Sequence, residues 1–494
     1  MKHYLGISAG FHDAAAAVVR EDGEILFAGH SERYSKRKND AHIHSGLIRD
    51  LDAWQYDVVA FYERPWLHNV QQWVSGQREW GAWTVQGALR QQLGDWVDRI
   101  PRQRGYGHHL SHAAAGFQTS PFREATVVVI DAIGELDTIS IYRAWYDESG
   151  RAQYRRLWRS GYPHSIGLFY SAATQRCGLR AQEEEYITMG MAAYGTPRWQ
   201  LDMRQALITH DHDRVLFREN LHTGWPQDLL RDATAEDIAA SAQQLTQDMV
   251  LDIMRLARTV SDSRNLVYMG GVALNCVINS QLGRIWDDVW IMPNPGDAGS
   301  SLGAAALAHG GPLHWRTAFL GHSIAGEYPV RALLHELEQA GMVGVASGRA
   351  EFGPRALGNR SLLADPRGAE IKDKVNDIKR RQRFRPFAPV ILEEHVHDYF
   401  AMPSGWNHSR YMQVVADCRR PDLYPAICHV DNTSRVQTVA QDGSGIRRLL
   451  EAWYQRTGCA MLLNTSLNIR GEPMVNDRVD AARFTRLYGV RVLG

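Results

Sequence analysis

The N-terminal residues alternate short apolar runs with turn residues. Residues 3–8, 14–19 and 24–28 are the apolar runs, and the stretches AGFHD and EDG separate them. Glycine and aspartate at these breaks favour tight turns, and each apolar run has the length of a single strand. The pattern predicts a meander of antiparallel strands at the start of the chain.

Later apolar runs have the composition of buried strands. Residues 126–130 read TVVVI, residues 138–142 continue the pattern, and residues 265–269 read NLVYM. Turn residues, mainly glycine and aspartate, follow the first and the last of these runs. Buried strands that end in such turns and are separated by helical stretches are typical of an α/β fold.

A tryptophan-rich segment, about residues 65–104, lies between the first strands and the TVVVI run. Its tryptophans are Trp66, Trp73, Trp80, Trp83 and Trp96, with glutamine and arginine around them. We predict a helical insertion whose tryptophan face packs on the core. The alternative is an aromatic wall that faces a substrate.

A second α/β pattern begins after Gly310-Gly311-Pro312. A helix is predicted over residues 329–340 and a strand over residues 343–346, and a basic, glycine-rich run follows. We therefore predict two domains, residues 1–325 and residues 326–494, with the helical insertion inside the first.

The composition excludes several classes of protein. The 494 residues contain 55 basic and 55 acidic side chains, a balance that argues against a general nucleic-acid or membrane-surface binder. The five cysteines are scattered without a C-x-x-C pair, which is typical of a reduced, cytoplasmic protein. No signal-peptide pattern is present, and no apolar stretch approaches the roughly 18 residues of a membrane helix. Only six basic residues are lysine, so each lysine is a candidate for a specific role.

The segment GHHLSHAA contains two histidines four residues apart. On a helix, His108 and His112 leave the same face and can bind one metal ion. Asp131 ends the TVVVI run, where a buried carboxylate needs a partner. Asp297 lies in the turn NPGDAG and is either a further ligand or a helix N-cap. Two imidazoles and two carboxylates suit Fe(II), Mn(II) or Zn(II).

Three turns rich in small residues follow predicted strands and are candidates for phosphate binding. They are residues 8–10, the loop 131–135 with Gly134, and the run 270–275 with Gly270, Gly271 and Asn275. Glycine lets the backbone approach a phosphate, and free N–H groups can bind it. Three such turns in this order resemble the plan of the actin-like ATPases. The basic run at 32–38 holds Lys38 near the first turn, and a solvated charged face is its alternative interpretation.

Arginines in the C-terminal part lie among glycine, proline and phenylalanine. Arg355 belongs to EFGPRALGNRS, Arg385 to FRPFAP and Arg435 to HVDNTSRVQ. The run LLNTSLN adds the amide of Asn464 and the hydroxyl of Ser466. Because arginine binds phosphate through two parallel hydrogen bonds, these residues are candidates for holding a phosphorylated small molecule. Structural salt bridges are the alternative.

Motifs along nearly the whole chain resemble, in their order, the NodU/CmcH family of O-carbamoyltransferases. The motifs are GISAGFHDAAAAVV, SERYSKRK, HHLSHAAAGF, EEEYITMGMAAYG, GGVALNCVIN, NPGDAGSSLGAA, EFGPRALGNRSLLADPR, FRPFAPV, HVDNTSRVQTV and LLNTSLNIRGEPMV. The resemblance implies an actin-like (ASKHA, TsaD-like) N-terminal domain and a YrdC-like C-terminal domain. The YrdC-like domain would form carbamoyl-adenylate from carbamoyl phosphate and ATP with Mg²⁺. The TsaD-like domain would transfer the carbamoyl group to an acceptor hydroxyl.

The resemblance also implies roles for individual residues. It implies that His12 and Lys38 are catalytic and that Fe(II) is bound by His108, His112, Asp131 and Asp297. It implies that the nucleotide is bound by Gly134, Gly270, Gly271 and Asn275. Carbamoyl phosphate or carbamoyl-adenylate would be bound by Arg355, Arg385, Arg435, Asn464 and Ser466. His12 is a candidate general base or hydrogen-bonding partner because imidazole titrates near neutral pH. Its alternative role is to brace the first hairpin.

The residues alone are also compatible with other functions. They are a TsaD-like tRNA-modifying enzyme, a non-catalytic ATP-binding switch, and a metallohydrolase, although the pair lacks the glutamate of H-E-x-x-H. A small-molecule alcohol such as a sugar or natural product is the expected acceptor. A hydroxymethylated base in DNA is the alternative, with the segment 65–104 stacking on the strand. A homodimer is a further expectation.

Overall fold

The computed structural model describes residues 1–74, 81–211, 214–368 and 370–494, which form a mixed α/β protein. The predicted N-terminal meander is confirmed and belongs to a first sheet of five strands. In spatial order these are Ile25–His30, Ala15–Arg20, His3–Ser8, Val58–Phe61 and Gln103–Gly105. The meander strands are antiparallel to one another, and the last two strands run parallel to His3–Ser8.

A second sheet repeats this order and these directions. Its strands are Ala152–Gly161, Asp137–Tyr146, Glu124–Gly134, Asn265–Met269 and Asp288–Trp290. Antiparallel pairing joins the first three strands, and parallel pairing joins the last two to Glu124–Gly134. The strand at 265–269 has the predicted bounds, whereas the TVVVI strand continues to Gly134 and so carries Asp131 within it.

Two helices between these sheets position the candidate metal ligands. His108–Thr119 and Ser300–His309 pack closely because their contact surfaces consist of small residues. A Cβ on Gly303 would lie 1.8 Å from the carbonyl oxygen of Ser111, and one on Gly6 would lie 1.8 Å from that of Ser301. The run SLGAAALA therefore forms a thin helix that lets sheet and helix approach each other.

A third sheet forms the core of the C-terminal part. Its six strands, in spatial order, are Gln437–Val439, Ala388–Leu392, Met461–Ser466, Arg360–Ala364, Met342–Ala346 and Val492–Leu493. The predicted helix and strand are confirmed as Val330–Ala340 and Met342–Ala346. Leu333 and Leu337 of that helix, with Leu449 and Trp453 of the helix Gly445–Thr457, cover the sheet.

The remaining elements connect these layers. The other α-helices are Glu32–Ser35, Ser45–Leu51, Pro65–Val74, Val85–Leu93, Ile166–Arg176, Glu185–Met191, Gln200–Leu207, Ala235–Val260, Cys276–Asn279, Ile371–Ile378, Val396–Tyr399 and Arg478–Tyr488. Smaller sheets pair Ile208–Asp211 with Arg214–Phe217, Phe319–Ile324 with Gly348–Glu351, and Phe400–Ala401 with Val415–Cys418 and Thr433–Arg435. The pairing of Phe319–Ile324 with Gly348–Glu351 crosses residue 325, and the domain boundary there stays a prediction.

The predicted packing of the tryptophan face is wrong for three of its tryptophans, whereas Trp96 packs on the core. The insertion is helical over most of its described length, but Trp66, Trp73 and Trp83 are 50%, 70% and 54% exposed. Aliphatic residues such as Leu89 and Leu93 supply its buried face instead. The end of the insertion, from Gln103, is a strand of the first sheet rather than helix. Trp80 lies outside the described residues.

Two expectations about the chain as a whole can be compared with the structure. The five cysteines are all free thiols. Among the described residues, no helix combines the length and the apolar character that crossing a membrane requires.

Candidate active site

The helix that begins at His108 brings two imidazoles together. His108 and His112 are one turn apart, as the spacing predicted, and their Nε2 atoms lie 3.1 Å from each other. Oδ2 of Asp131 is 3.4 Å from Nε2 of His108 and 3.1 Å from Nε2 of His112. Oδ1 of Asp297 is 3.3 Å from both nitrogens. All four side chains are buried, and we call them the metal cluster.

The two carboxylates of the metal cluster are held by backbone geometry. Oδ1 of Asp131 accepts hydrogen bonds from the N–H of Ala132 at 2.8 Å and of Gly271 at 3.3 Å, which leaves Oδ2 toward the imidazoles. Asp297 begins a short 3-10 turn before the helix Ser300–His309, which has no side-chain cap. The N-cap interpretation of Asp297 is therefore wrong, because its carboxylate contacts the imidazoles.

The geometry of the metal cluster fits a metal ion. Ligands about 2.1 Å from a common ion are separated by about 3.0–3.4 Å, which is the range found here. Burial disfavours the charged ring, yet Asp297 and Asp131 hold the pKa of His108 well above its usual range. Burial likewise opposes the charge of Asp131, but His108 and His112 keep its pKa well below its usual range. A cation among these groups would compensate the two buried carboxylates.

A neighbouring carboxylate was missed from the sequence. Oε2 of Glu63 lies 3.6 Å from Nδ1 of His108, on the side away from the metal cluster. The distance is too long for a hydrogen bond, and a carboxylate that came closer on this side would orient a metal-bound imidazole. Glu63 follows the strand Val58–Phe61, a position that no local motif marks.

His12 and Lys38, the predicted catalytic pair, both line a cavity beside the metal cluster. Nε2 of His12 is 3.6 Å from Oδ2 of Asp297, and Nδ1 is 3.1 Å from Oδ2 of Asp13. Burial opposes protonation, but the nearby carboxylates, Asp297 first, raise the pKa of His12 to about 9. Both carboxylates beside it favour the protonated form of the ring. Nζ of Lys38 lies 4.0 Å from Oε1 of Glu183.

The predicted nucleotide-binding residues have different surroundings. Gly271 and Asn275 line the cavity, whereas Gly134 and Gly270 pack against protein atoms. A Cβ on Gly134 would lie 2.4 Å from Cδ2 of His109, and one on Gly270 would lie 2.2 Å from the carbonyl oxygen of Ile130. The amide of Asn275 exchanges hydrogen bonds of 3.0 and 3.2 Å with Gln243.

The predicted arginines come together in the same cavity. Arg355, Arg385 and Arg435 line it, together with Arg381, which sequence reasoning missed. Within the described part of the chain, none of the four forms an ion pair with a carboxylate. Burial and Arg435 lower the pKa of Arg355 to about 9, so the cluster strongly disfavours its own positive charges. Arginines without carboxylate partners can bind an anion, and the salt-bridge alternative is wrong for these side chains.

A buried lysine completes this arginine cluster. Lys379 donates hydrogen bonds to Oγ of Ser466 at 3.0 Å and to Oδ1 of Asn468 at 2.8 Å. Burial, Arg381 and Arg385 hold the pKa of Lys379 well below its usual range. Asn464 donates to the carbonyl of Ala356 at 3.0 Å, next to Arg355, and its Oδ1 is buried without a partner. The scarcity of lysine in the sequence was the one indication that Lys379 had a special role.

One cavity of about 740 Å³ extends from the metal cluster to the arginine cluster. Asp131, Asp297, His12 and Lys38 line one part, and the arginines and Ser466 line the other. A volume of this size accommodates small-molecule ligands. Groups suited to bind an anion and groups suited to bind a metal ion therefore face a common space.

Two family models match most of the chain. The model described as "Carbamoyltransferase N-terminus" matches residues 68–306, and "Carbamoyltransferase C-terminus" matches residues 334–493. The chain belongs to the carbamoyltransferase family. Its activity is accordingly that of a carbamoyltransferase, which the NodU/CmcH resemblance had implied.

Named relatives agree with this family. An uncharacterised protein of Synechocystis is 33% identical, over 98% of this chain and 94% of the relative. Nodulation protein NolNO of Sinorhizobium fredii is 30% identical, over 95% of this chain and 76% of the relative. Nodulation protein U of Bradyrhizobium diazoefficiens is 30% identical, over 97% and 94% of the two chains.

Solved structures resemble the chain more distantly. The activator of 2-hydroxyisocaproyl-CoA dehydratase from Clostridium difficile, with bound ADPNP, is 15% identical with a TM-score of 0.35, over 62% of this chain and 94% of its own. Full-length HypF in its phosphate- and nucleotide-bound form is 14% identical with a TM-score of 0.40, over 62% and 55%.

Proposed function

We propose that this carbamoyltransferase uses carbamoyl phosphate and ATP to carbamoylate the hydroxyl group of a small-molecule alcohol. The observation that carries the proposal is the arginine cluster with Lys379, whose cations have no carboxylate partners among the described residues. Carbamoyl phosphate and the ATP polyphosphate are anions that bidentate arginine contacts recognise. Arg355, Arg385, Arg435, Asn464 and Ser466 are the proposed ligands of carbamoyl phosphate or carbamoyl-adenylate.

The proposed reaction has two stages. Carbamoyl phosphate, ATP and water give carbamoyl-adenylate, phosphate and pyrophosphate. The acceptor hydroxyl then attacks the carbamoyl carbon, AMP leaves, and the hydroxyl proton passes to a base. The cavity that joins the arginine cluster to the metal cluster supports a path between the two stages within one protein.

We propose that the residues beside the metal cluster carry out the transfer stage. Lys38 would stabilise the negative charge that develops on the carbamoyl group and on the leaving phosphate. His12 would hydrogen-bond to the acceptor hydroxyl, and it can accept the proton once a bound cation offsets the carboxylates beside it. Fe(II), or Mn(II) or Zn(II) in its place, bound by His108, His112, Asp131 and Asp297 would polarise a phosphate or carbonyl oxygen.

The two-domain assignment belongs to the same proposal. The repeated strand order of the first two sheets supports an actin-like N-terminal domain, residues 1–325. The separate third sheet, which carries Ser466 and lies next to Arg355, supports a second domain at residues 326–494 with a YrdC-like role. Gly271 and Asn275 are the proposed nucleotide contacts in the first domain, because both line the cavity.

The size of the cavity supports a small acceptor. About 740 Å³ suits a sugar or natural-product alcohol, whereas a base within DNA would first have to leave its duplex. The exposed tryptophans of the insertion do not line the cavity, so they give a polynucleotide no support at the site.

The test is a carbamoylation assay with isotope-labelled carbamoyl phosphate. The protein is incubated with ATP and Mg²⁺ against a panel of sugars, amino-alcohol natural products, nucleosides, hydroxymethylated DNA and tRNA. We expect label in a small-molecule alcohol, dependent on ATP and lost in Arg355→Met, while Arg316→Met, at a side chain 72% exposed, retains it. Label in DNA or tRNA instead would overturn the acceptor class, and transfer that ignores ATP would overturn the adenylate route.

A further inference from the structure

One aromatic ring lies between the two functional clusters. Nζ of Lys38 is 5.2 Å from the ring centroid of Tyr186, and Cζ of Arg385 is 4.9 Å from the same centroid. Lys38 follows the helix Glu32–Ser35, and Arg385 precedes the strand Ala388–Leu392 of the third sheet. A cation from each half of the chain therefore contacts a single side chain.

The convergence of two cations on one ring has an electrostatic consequence. Lys38 and Arg385 repel each other, and the attraction of each cation to the ring face offsets part of this repulsion. Glu183 lies 4.0 Å from Lys38, whereas Arg385 has no carboxylate partner among the described residues. Burial lowers the pKa of Arg385. The ring therefore holds both cations where they can contact an anion in the cavity.

The backbone under Tyr186 is firmly fixed. The ring is on the helix Glu185–Met191, where Ile187 and Thr188 are buried and the Thr188 hydroxyl donates to that of Thr174 at 2.9 Å. The buried Glu184 just before the helix accepts a 2.9 Å hydrogen bond from Arg470. The segment that carries Tyr186 is therefore attached to Thr174 in the N-terminal part and to Arg470 in the C-terminal part.

We propose that Tyr186 is a positioning residue for carbamoyl transfer, whose ring holds Lys38 and Arg385 on either side of the route between the arginine cluster and the metal cluster. An anionic carbamoyl intermediate in that part of the cavity would then meet one cation from each half. We assign this role to the ring, which both cations approach, and Tyr186→Phe separates it from the hydroxyl. The proposal rests on the function proposed above.

The experiment compares Tyr186→Phe with Tyr186→Leu, with Tyr454→Leu as a surface control. Phenylalanine keeps the ring, so we expect its kcat/KM for carbamoyl phosphate to stay within about threefold of wild type. Leucine removes both contacts, and we expect a loss of about 10- to 100-fold, mainly in kcat, with unchanged metal content. In Lys38→Met, the further effect of Tyr186→Leu should shrink, since one of its two contacts is already gone.

Several outcomes would contradict this role. Wild-type kcat/KM in Tyr186→Leu would overturn it, and so would equal losses in Tyr186→Phe and Tyr186→Leu, which would assign the effect to the hydroxyl. Pyrophosphate binding, measured by calorimetry on the same proteins, does not depend on an acceptor. If no acceptor is carbamoylated, the proposed function fails. The positioning role would still be supported if pyrophosphate binding were weaker in Tyr186→Leu but not in Tyr186→Phe.

Discussion

Nε2 of His108 lies 3.1 Å from Nε2 of His112, and both face the carboxylates of Asp131 and Asp297. Two imidazole nitrogens that face each other at this distance, with carboxylates beside both, are arranged as ligands of one cation. The relationship follows from the chain itself, because the helix starts at His108 and its next turn presents His112.

Removal of one imidazole should abolish stable metal binding. In His112→Ala we expect at least about 100-fold weaker affinity for Fe(II), Mn(II) or Zn(II), since a direct ligand contributes more than an outer-sphere partner. Metal per chain after dialysis, measured by mass spectrometry, checks this. His314→Gln, at an exposed histidine, is the control and should retain the wild-type content. A His112→Ala protein with full metal content would place the ion elsewhere.

Gly134→Ala should disturb the same cluster without changing a ligand. The added Cβ would lie 2.4 Å from Cδ2 of His109 and 2.9 Å from Cδ2 of His108, so at least one ring must move. We expect about 10- to 100-fold weaker metal affinity and a free energy of unfolding lower by about 1–3 kcal/mol. Gly190→Ala, where a Cβ meets open space, is the matched control. Unchanged metal affinity in Gly134→Ala would mean that the imidazoles tolerate the displacement.

The buried ammonium of Lys379 should make stability depend on pH. Burial, Arg381 and Arg385 keep its pKa well below its usual range, so the folded state binds fewer protons at Lys379 than the unfolded state. The free energy of unfolding should therefore rise as the pH increases toward about 10.5, and fall as the pH drops toward the folded-state pKa.

Lys379→Met isolates this contribution. Urea denaturation at several pH values between 7 and 10 should give a flatter dependence in Lys379→Met than in wild type. Lys374→Met, at an exposed lysine, should follow the wild-type curve. Saturating sulfate should reduce the difference, because an anion in the arginine cluster favours the charged lysine. Identical slopes for wild type and Lys379→Met would contradict the assigned pKa direction.

The sequence predicted the parts of the site that local spacing encodes. Histidines four residues apart on a helix and a carboxylate at the end of an apolar strand are local patterns, so His108, His112 and Asp131 could be placed together. Glu63 could not be found in this way, because its contact with His108 exists only after two distant segments meet.

The surroundings of Gly134 and of the exposed tryptophans were not predicted, for related physical reasons. A glycine after a strand can admit a phosphate or a neighbouring side chain, and only the fold shows that Gly134 faces His109. Tryptophans at helical spacing usually pack inward, but Leu89 and Leu93 already provide the buried surface of the insertion. Patterns within one element identify the element and its type. They do not identify which partner covers it.

The last prediction concerns the ion pair between Glu184 and Arg470, which joins the two halves beside Tyr186. The Glu184 side chain is 3% exposed and accepts from Arg470 at 2.9 Å and from the N–H of Arg180 at 3.0 Å. Burial opposes its charge, but Arg470 and Arg180 lower its pKa. Because Glu184 is buried and charged, Arg470→Met should lower the free energy of unfolding by about 1–3 kcal/mol. We expect the lower value, since Arg470 is 39% exposed and solvent screens its charge.

A double-mutant cycle with Glu184→Gln measures this interaction. We expect the two substitutions together to cost less than the sum of their separate effects, by at least about 0.5 kcal/mol in the free energy of unfolding. Arg456→Met removes a comparable pair with Glu338 inside the C-terminal part, at a side chain 66% exposed, and should change stability by no more than about 0.5 kcal/mol. Strict additivity in the cycle would show that Glu184 and Arg470 stabilise the fold independently.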